Sequence, residues 1–128
     1  MDKQYRILVV EDEEQWREGI FREALEDDGY DVQTSDSYSG AVAALGKTVF
    51  DLAVVDVNLT GVSGNQDGIR VLEHLASLGR PTRAIVVSGS KTRAMAEQSA
   101  QEFQPFAFID KTTFDIAEFI AVVADALD

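Results

Sequence analysis

The chain has 128 residues, a length that suits one domain with a hydrophobic core of its own. Its composition, with 45% hydrophobic and 27% charged residues, is that of a globular protein, and its net charge of -12 opposes direct binding to nucleic acids or anionic membranes. The absence of cysteine excludes disulfides and thiol chemistry, the single histidine excludes a metal site of several histidines, and no apolar run is long enough to span a bilayer. We therefore expect a single cytoplasmic domain over residues 1–128.

The first two predicted strands are each followed by a predicted helix. A β-branched apolar run that stops at acidic residues predicts a buried strand over residues 5–10. Apolar residues at helical spacing then predict an amphipathic helix that ends near Gly29. Residues 30–34 form a weaker strand candidate, and Ser37 is the predicted N-cap of a second helix that ends at Gly46. The apolar face of the first helix consists of Trp16, Ile20, Phe21, Ala24 and Leu25.

The third strand is predicted at residues 52–55, which repeat the buried-strand pattern and run into Asp56. The glycines that follow break any periodic pattern, so we expect a loop up to Gly68. A third helix then ends at residues 79–81, before a fourth strand at residues 84–88. The predicted apolar face of this helix consists of Ile69, Leu72, Leu75 and Ala76.

The last part of the chain adds two helices and a fifth strand. The fourth helix, at residues 92–103, is rich in small residues and weakly patterned, and the fifth strand is predicted at residues 106–109. The final helix begins near Thr113 and has a regular apolar stripe. This stripe consists of Ile116, Ile120, Val123 and Leu127.

Five strands that alternate with five helices predict an α/β fold. The expected architecture is a doubly wound, five-stranded parallel sheet with right-handed crossovers and helices on both faces. In such sheets, ligands bind at the carboxyl ends of the strands, near the point where the strand order reverses. The residues directly after the strands are therefore the candidates for a functional site.

Polar residues follow four of the five predicted strands. They are Glu11 and Asp12 after the first strand, Asp56 after the third, Ser88 at the end of the fourth and Lys111 after the fifth. Three carboxylates at one edge repel each other unless a cation neutralises them, and oxygen ligands of this kind suit hydrated Mg²⁺. A carboxylate can attack phosphorus, while a metal, a lysine and a hydroxyl hold the oxygens of the transferred phosphoryl group. These residues indicate a magnesium-dependent site that accepts a phosphoryl group.

Four short segments carry a resemblance to a known family. They are residues 7–13, 51–56, 86–89 and 108–111. In their residues and their order they resemble the receiver domain of bacterial two-component response regulators, and the resemblance extends from Tyr5 to Leu127. It implies the flavodoxin-like (βα)5 receiver fold. It also implies a phosphorelay signalling protein, a switch with weak self-catalysed phosphotransfer and autodephosphorylation, and not an enzyme with a separate substrate.

The resemblance implies roles for the residues of the acidic site. Asp12 would ligate Mg²⁺ directly, Glu11 would assist, and Asp56 would be both a metal ligand and the phosphoacceptor. The backbone carbonyl of Asn58 would be the remaining protein ligand. The phosphoryl group would come from a sensor histidine kinase or a histidine phosphotransfer protein, and slow hydrolysis would later remove it.

The same resemblance implies a conformational switch. Ser88 matches the switch hydroxyl, Lys111 matches the lysine that contacts the phosphoryl group, and Phe108 takes the position of the aromatic switch residue. Their movement would change the surface formed by the fourth helix, the fifth strand and the fifth helix, the α4-β5-α5 surface of the family. A downstream protein or a fused output domain would read this surface, and a dimer would form through it.

Two features differ from the family pattern and leave alternatives open. Thr112 follows Lys111 where the family usually has proline, and the loop after Asp56 is longer than usual. One alternative is therefore a pseudo-receiver, an interaction module of the same fold that never uses Asp56. The other is a small aspartyl-phosphate hydrolase, because residues 56–60 partly resemble the nucleophile motif of haloacid dehalogenases. That motif has a second aspartate where this chain has Asn58.

Overall fold

Five apolar runs form the strands of one parallel sheet. The computed structural model describes residues 4–57, 67–89, 98 and 100–128. Within these residues, the strands are β1 (Arg6–Val10), β2 (Asp31–Ser35), β3 (Leu52–Asp56), β4 (Arg83–Ser88) and β5 (Ala107–Asp110). Neighbouring strands run parallel in the order β2-β1-β3-β4-β5, which confirms the predicted flavodoxin-like arrangement. The strand positions also agree with the sequence pattern, apart from small shifts at the ends.

Strands β1 and β3 lie in the centre of the sheet because their side chains are apolar on both faces. Residues 7–10 are at most 1% exposed, and every residue of β3 is buried. Successive side chains alternate, so that Ile7 and Val9 pack on one face and Leu8 and Val10 on the other. The core therefore consists of two layers, one on each face of the sheet.

Helix α1 has a π-helical middle. It runs as an α-helix over Glu14–Trp16, as a π-helix over Arg17–Arg22 and as an α-helix over Glu23–Asp27. The i→i+5 pattern of a π-helix brings Trp16 and Phe21 towards one side, and their ring centroids lie 5.5 Å apart. The chain leaves the helix through Gly29, whose φ of 91° is in the left-handed region that favours glycine.

The other described helices are α2 (Tyr38–Lys47), α3 (Asp67–Ser77) and a C-terminal helix (Ile116–Leu127), with a 3₁₀ turn at Lys111–Thr113. Helices α2 and α3 cover one face of the sheet, and α1 and the C-terminal helix cover the other, as predicted for a doubly wound fold. Much of the predicted fourth helix lies outside the described residues, although Gln98, Ala100 and Gln101 are helical. None of the described helices combines the length and the apolar character needed to cross a membrane.

The C-terminal helix begins later than predicted. Its N-cap is Asp115, whose side chain accepts a hydrogen bond of 2.9 Å from a backbone N–H of the first turn, so the predicted start near Thr113 is wrong. The predicted stripe also changes, since Ile116 is 54% exposed and Phe119 is buried. The reason is an aromatic cluster, in which the ring centroids of Phe119 and Phe114 lie 5.5 Å apart.

Helices α2 and α3 show smaller differences. The Ser37 cap is confirmed, because its Oγ accepts a backbone N–H at 3.1 Å, but Gly46 lies inside α2 and does not end it. In α3, Val71 is buried and Ala76 is exposed, so the buried face is shifted from the predicted one. The buried residues are Gly68, Val71, Leu72 and Leu75, and Gly68 packs directly against the end of β3.

Candidate functional site

The carboxyl ends of β1 and β3 bring three acidic side chains together. Val10 pairs with Val55, so Glu11 and Asp56 leave neighbouring strands at the same edge of the sheet. One carboxylate oxygen from each of Glu11, Asp12 and Asp56 lies within 4.8 Å of the other two. The structure therefore brings together the three carboxylates that the sequence places at the strand ends.

Glu11 is fully buried, which is unusual for a carboxylate. Burial, the largest cause, and the negative charge of Asp56 together raise the pKa of Glu11 to about 8, against the opposing effect of the Lys111 ammonium. The Oε2 atom of Glu11 accepts a hydrogen bond of 3.1 Å from the backbone N–H of Glu13. Because the two buried carboxylates repel each other, a divalent cation beside them would favour their ionised forms.

Asp12 adds an unpaired oxygen to the cluster. Its Oδ1 atom is buried and has no hydrogen-bond donor among the residues that the structure describes. Such an atom is costly, because it has lost water without gaining a donor. Three carboxylates, one of them with an unpaired oxygen, fit a hydrated divalent cation such as Mg²⁺, which prefers oxygen ligands and keeps several waters. These three side chains are the residues that would hold a metal.

Lys111 extends from the end of β5 into the carboxylate cluster. Its ammonium donates a hydrogen bond of 2.7 Å to Oδ2 of Asp56 and forms an ion pair with Glu11. Burial lowers the pKa of Lys111, but the charge and the hydrogen bond of Asp56, together with those of Glu11, raise it above its usual value overall. Lys111 is therefore a charged group directed at Asp56.

The turn after β5 holds Lys111 without a cis peptide bond, since none occurs among the described residues. The Oδ1 atom of Asp110 accepts two hydrogen bonds from Thr112, one from its N–H at 2.9 Å and one from its Oγ at 2.7 Å. The chain continues as a 3₁₀ turn over Lys111–Thr113. Threonine in place of the family's proline is therefore compatible with a lysine that reaches Asp56.

Ser88 and Phe108 lie on the two strands beyond Asp56. Ser88 is the buried last residue of β4 and follows Val87, the register partner of Asp56. Phe108 is half-buried and packs against the core layer under α2 and α3. Ser88 is thus at the same edge as the carboxylates, whereas the switch roles of both residues stay predictions. Asn58, the remaining predicted ligand, lies outside the described residues.

Gly68 brings the first turn of α3 directly onto the end of β3. A Cβ atom at this position would lie 2.3 Å from the carbonyl oxygen of Asp56 and 2.3 Å from Cα of Val57. Both of these are backbone atoms, which cannot move aside as a flexible side chain can. Glycine is therefore required for α3 to approach the site this closely.

Two further residues contact the site, and the sequence pattern gave them no role there. The ring centroid of Trp16 lies 5.1 Å from Nζ of Lys111, a cation–π contact. The Nη1 atom of Arg17 donates hydrogen bonds to the backbone carbonyls of Glu11 at 3.1 Å and Asp12 at 3.2 Å. The sequence placed Trp16 on the apolar face of α1, a position that is equally typical of an ordinary core residue. No sequence signal identified Arg17.

Comparison with known proteins agrees with this geometry. The family described as response regulator receiver domain matches residues 7–124. The alginate biosynthesis transcriptional regulatory protein AlgB of Pseudomonas aeruginosa is 38% identical over 87 residues, which cover 68% of this chain and 18% of AlgB. The chain thus spans less than a fifth of the length of this relative.

Solved structures show the same fold. The crystal structure of NtrX from Brucella abortus has a TM-score of 0.83 and 25% sequence identity, covering 98% of this chain and 27% of NtrX. A CheY-like receiver domain protein from Methanospirillum hungatei has a TM-score of 0.85 and 24% identity, covering 98% of this chain and 95% of that protein. These likenesses concern the fold, while the match over residues 7–124 shows that the chain belongs to the response regulator receiver domain family.

Proposed function

We propose that this chain is a phosphorylation switch in which Asp56 accepts a phosphoryl group. The observation that carries the proposal is the contact of 2.7 Å between Nζ of Lys111 and Oδ2 of Asp56, inside a buried cluster of carboxylates. A cation in contact with the acceptor carboxylate and a set of metal-type oxygen ligands beside it are the groups that phosphoryl transfer requires.

The acidic cluster is the proposed Mg²⁺ site. Glu11, Asp12 and Asp56 would bind the ion, with the backbone carbonyl of Asn58 as a further ligand, and the unpaired Oδ1 of Asp12 supports this assignment. When bound, Mg²⁺ would supply the positive charge that neutralises both these carboxylates and the incoming phosphoryl oxygens. The pKa of the buried Glu11 would then fall, because the attraction of the cation opposes the burial and the repulsion from Asp56 that raise it.

The proposed phosphodonor is a phosphohistidine of a sensor histidine kinase or a histidine phosphotransfer protein. A carboxylate oxygen of Asp56 would attack phosphorus, so that the new O–P bond forms while the P–N bond breaks and its electron pair stays on the imidazole. Lys111 would exchange its hydrogen bond to Asp56 for one to a phosphoryl oxygen, and the Ser88 hydroxyl would bind another. The 3% exposure of Asp56 restricts water, which favours a slow loss of the phosphoryl group.

The proposed output is a change of surface and not a chemical product. Movement of Ser88 towards the phosphoryl group, with Phe108 turning inward, would alter the surface beside β5 and the C-terminal helix. AlgB is named a transcriptional regulatory protein, and the chain matches only 18% of it. We infer that the switch acts on a downstream protein or on an attached output domain. The net charge of -12 argues against direct contact of the receiver with nucleic acid.

Intact-mass measurement after incubation with Mg²⁺ and a small phosphodonor, such as acetyl phosphate, tests the proposal. We expect the wild-type chain to gain one phosphoryl group and Asp56→Asn to gain none. Asp31→Asn is the matched control, because Asp31 is an exposed aspartate at the other end of a strand and should leave the adduct unchanged. Chelation of Mg²⁺ should abolish the adduct in wild type.

Other outcomes would point to other functions. A wild-type chain that binds Mg²⁺ but gains no phosphoryl group would be a pseudo-receiver. Rapid multiple turnover of small phosphate esters would indicate an aspartyl-phosphate hydrolase. An adduct of equal yield in Asp56→Asn would place the acceptor elsewhere in the chain.

A further inference from the structure

The carboxylate of Asp110 fixes the backbone around Lys111, because it bonds to the residue on the other side of the lysine. Asp110 is the last residue of β5, where it pairs in register with Ser88. Its Oδ1 atom accepts the N–H and the hydroxyl of Thr112, at 2.9 Å and 2.7 Å, across the intervening Lys111. This is a side chain-to-backbone turn that starts where the sheet ends. It determines the direction in which Lys111 leaves β5.

A second anchor follows the turn. Phe114 packs in an aromatic cluster, with ring-centroid distances of 5.3 Å to Trp16 and 5.7 Å to Phe21. The same Trp16 ring lies 5.1 Å from Nζ of Lys111. The lysine is therefore held at its backbone between β5 and Phe114, and at its ammonium between Trp16 and the carboxylate of Asp56.

Such anchoring matters because a lysine side chain is long and flexible. Its four-carbon stem has many rotamers, so the ammonium stays at one place only if the backbone beneath it is fixed. A displacement of the turn by about 1 Å would lengthen the 2.7 Å contact with Asp56 beyond hydrogen-bond distance. Because Thr112 is exposed, its N–H and hydroxyl could bond to water instead of Asp110 at little cost in stability. What the bonds to Asp110 contribute is therefore the position of the turn.

We propose that Asp110 and Thr112 are positioning residues for Lys111, and that their turn, with the Trp16 ring, holds the ammonium on the phosphoacceptor. The inference rests on the proposed function of Asp56, and it concerns residues for which the sequence suggested no role. It also explains how this chain works with threonine after Lys111. Proline at this position would lack the N–H that Asp110 accepts, so Thr112→Pro disrupts the turn.

Two readouts test the proposal on the whole chain. The first is the rate at which acetyl phosphate with Mg²⁺ adds a phosphoryl group, followed by intact mass. The second is the fluorescence of Trp16, the single tryptophan, which reports on the ammonium beside its ring. Lys111→Ala gives the emission expected when the ammonium is absent. A thermal unfolding midpoint is measured for every variant.

We expect Asp110→Ala and Thr112→Pro to slow phosphorylation on the order of tenfold, since each breaks the turn that holds the Lys111 ammonium on Asp56. Their Trp16 emission should move towards that of Lys111→Ala. Asp110→Asn keeps an acceptor oxygen and should recover most of the rate and of the emission. Thr112→Val keeps the N–H and loses only the hydroxyl, so it should lie between wild type and Asp110→Ala. It also replaces an exposed side chain, which makes it the variant least prone to misfold.

Ser37→Ala is the matched control for a lost cap. It removes a hydrogen bond of 3.1 Å at the start of α2, on the face of the sheet away from Trp16, and should lower the unfolding midpoint without changing rate or emission. Wild-type rate and emission in both Asp110→Ala and Thr112→Val would overturn the proposal, as would equal losses in Ser37→Ala. If wild type takes no phosphoryl group, the proposed function fails, while the Trp16 emission still decides whether the turn positions Lys111.

Discussion

At the scale of single residues, the two acids that follow β1 contact different groups. Glu11 is paired with the ammonium of Lys111. The Oδ1 atom of Asp12 is buried without a donor among the residues described. A buried oxygen in this condition lowers the stability of the fold, because its lost hydration is not replaced. The proposed role of Asp12 as a metal ligand would account for this oxygen.

Replacing Asp12 should separate stability from metal binding. We expect Asp12→Asn to raise the free energy of unfolding in a chelator by about 1 kcal/mol, since it removes one of three mutually repelling negative charges from the cluster. The same change should weaken Mg²⁺ binding by at least roughly tenfold. Urea unfolding with and without Mg²⁺ measures both effects. Glu13→Gln, at the exposed next position, is the control that should alter neither quantity. A loss of stability in the chelator, with normal Mg²⁺ binding, would show that Asp12 is structural.

The main residues of the site could be predicted because topology places them. Buried apolar runs determine the strands, and parallel strands bring Glu11, Asp56 and Lys111 to one edge whatever the details of packing. Contacts made by side chains from elsewhere depend on helix phase and on turn geometry. Trp16 and Asp110 belong to this second group, so the sequence pattern showed their elements but not their contacts with Lys111.

At the scale of elements, the approach of α3 to β3 depends on one glycine. We expect Gly68→Ala to lower the free energy of unfolding by about 1–3 kcal/mol, because the added Cβ would lie 2.3 Å from backbone atoms of Asp56 and Val57. The shift needed to relieve this contact would also move the end of β3, so phosphorylation of Asp56 should slow.

Gly46→Ala is the matched control for Gly68→Ala. Gly46 lies inside α2 with nothing within 4 Å of a Cβ atom, so alanine should stabilise the protein by about 0.5–1 kcal/mol. Urea unfolding of the two variants should therefore give changes of opposite sign. A Gly68→Ala variant as stable as Gly46→Ala, with a normal rate of phosphorylation, would contradict the close packing of α3 on β3.

Hydrophobic spacing does not determine every feature of the helices. Hydrophobic spacing found the strands and the first helix, but it did not show that Arg17–Arg22 is π-helical, because Trp16, Ile20 and Ala24 also fit an α-helix. The start of the last helix was placed too early, since Thr113 and Asp115 are both good caps and only packing of Phe114 decides between them.

At the scale of the whole molecule, the sheet has a buried centre and two edges that differ in their contribution to the site. Strands β1 and β3 are buried on both faces, whereas every residue of β5 is partly exposed. Ser88 is the last residue of β4 and Lys111 directly follows β5, whereas β2 at the opposite edge contributes no side chain to the described site. A change at Asp56 should therefore be transmitted towards β5 and the C-terminal helix and not towards β2.

Amide hydrogen exchange can test this direction. We expect phosphorylation of the Mg²⁺-loaded protein to change exchange severalfold in β5 and in the first turn of the C-terminal helix, with β2 nearly unchanged. The physical reason is that new contacts of Ser88 and Lys111 with phosphoryl oxygens act on β4, which ends at Ser88, and on the turn that joins Lys111 to β5. Asp56→Asn, treated with the same phosphodonor, should show no change. Equal protection from exchange in all five strands would instead mean that the phosphoryl group stabilises the whole fold, as a bound ligand does. That result would contradict a switch directed at the β5 edge.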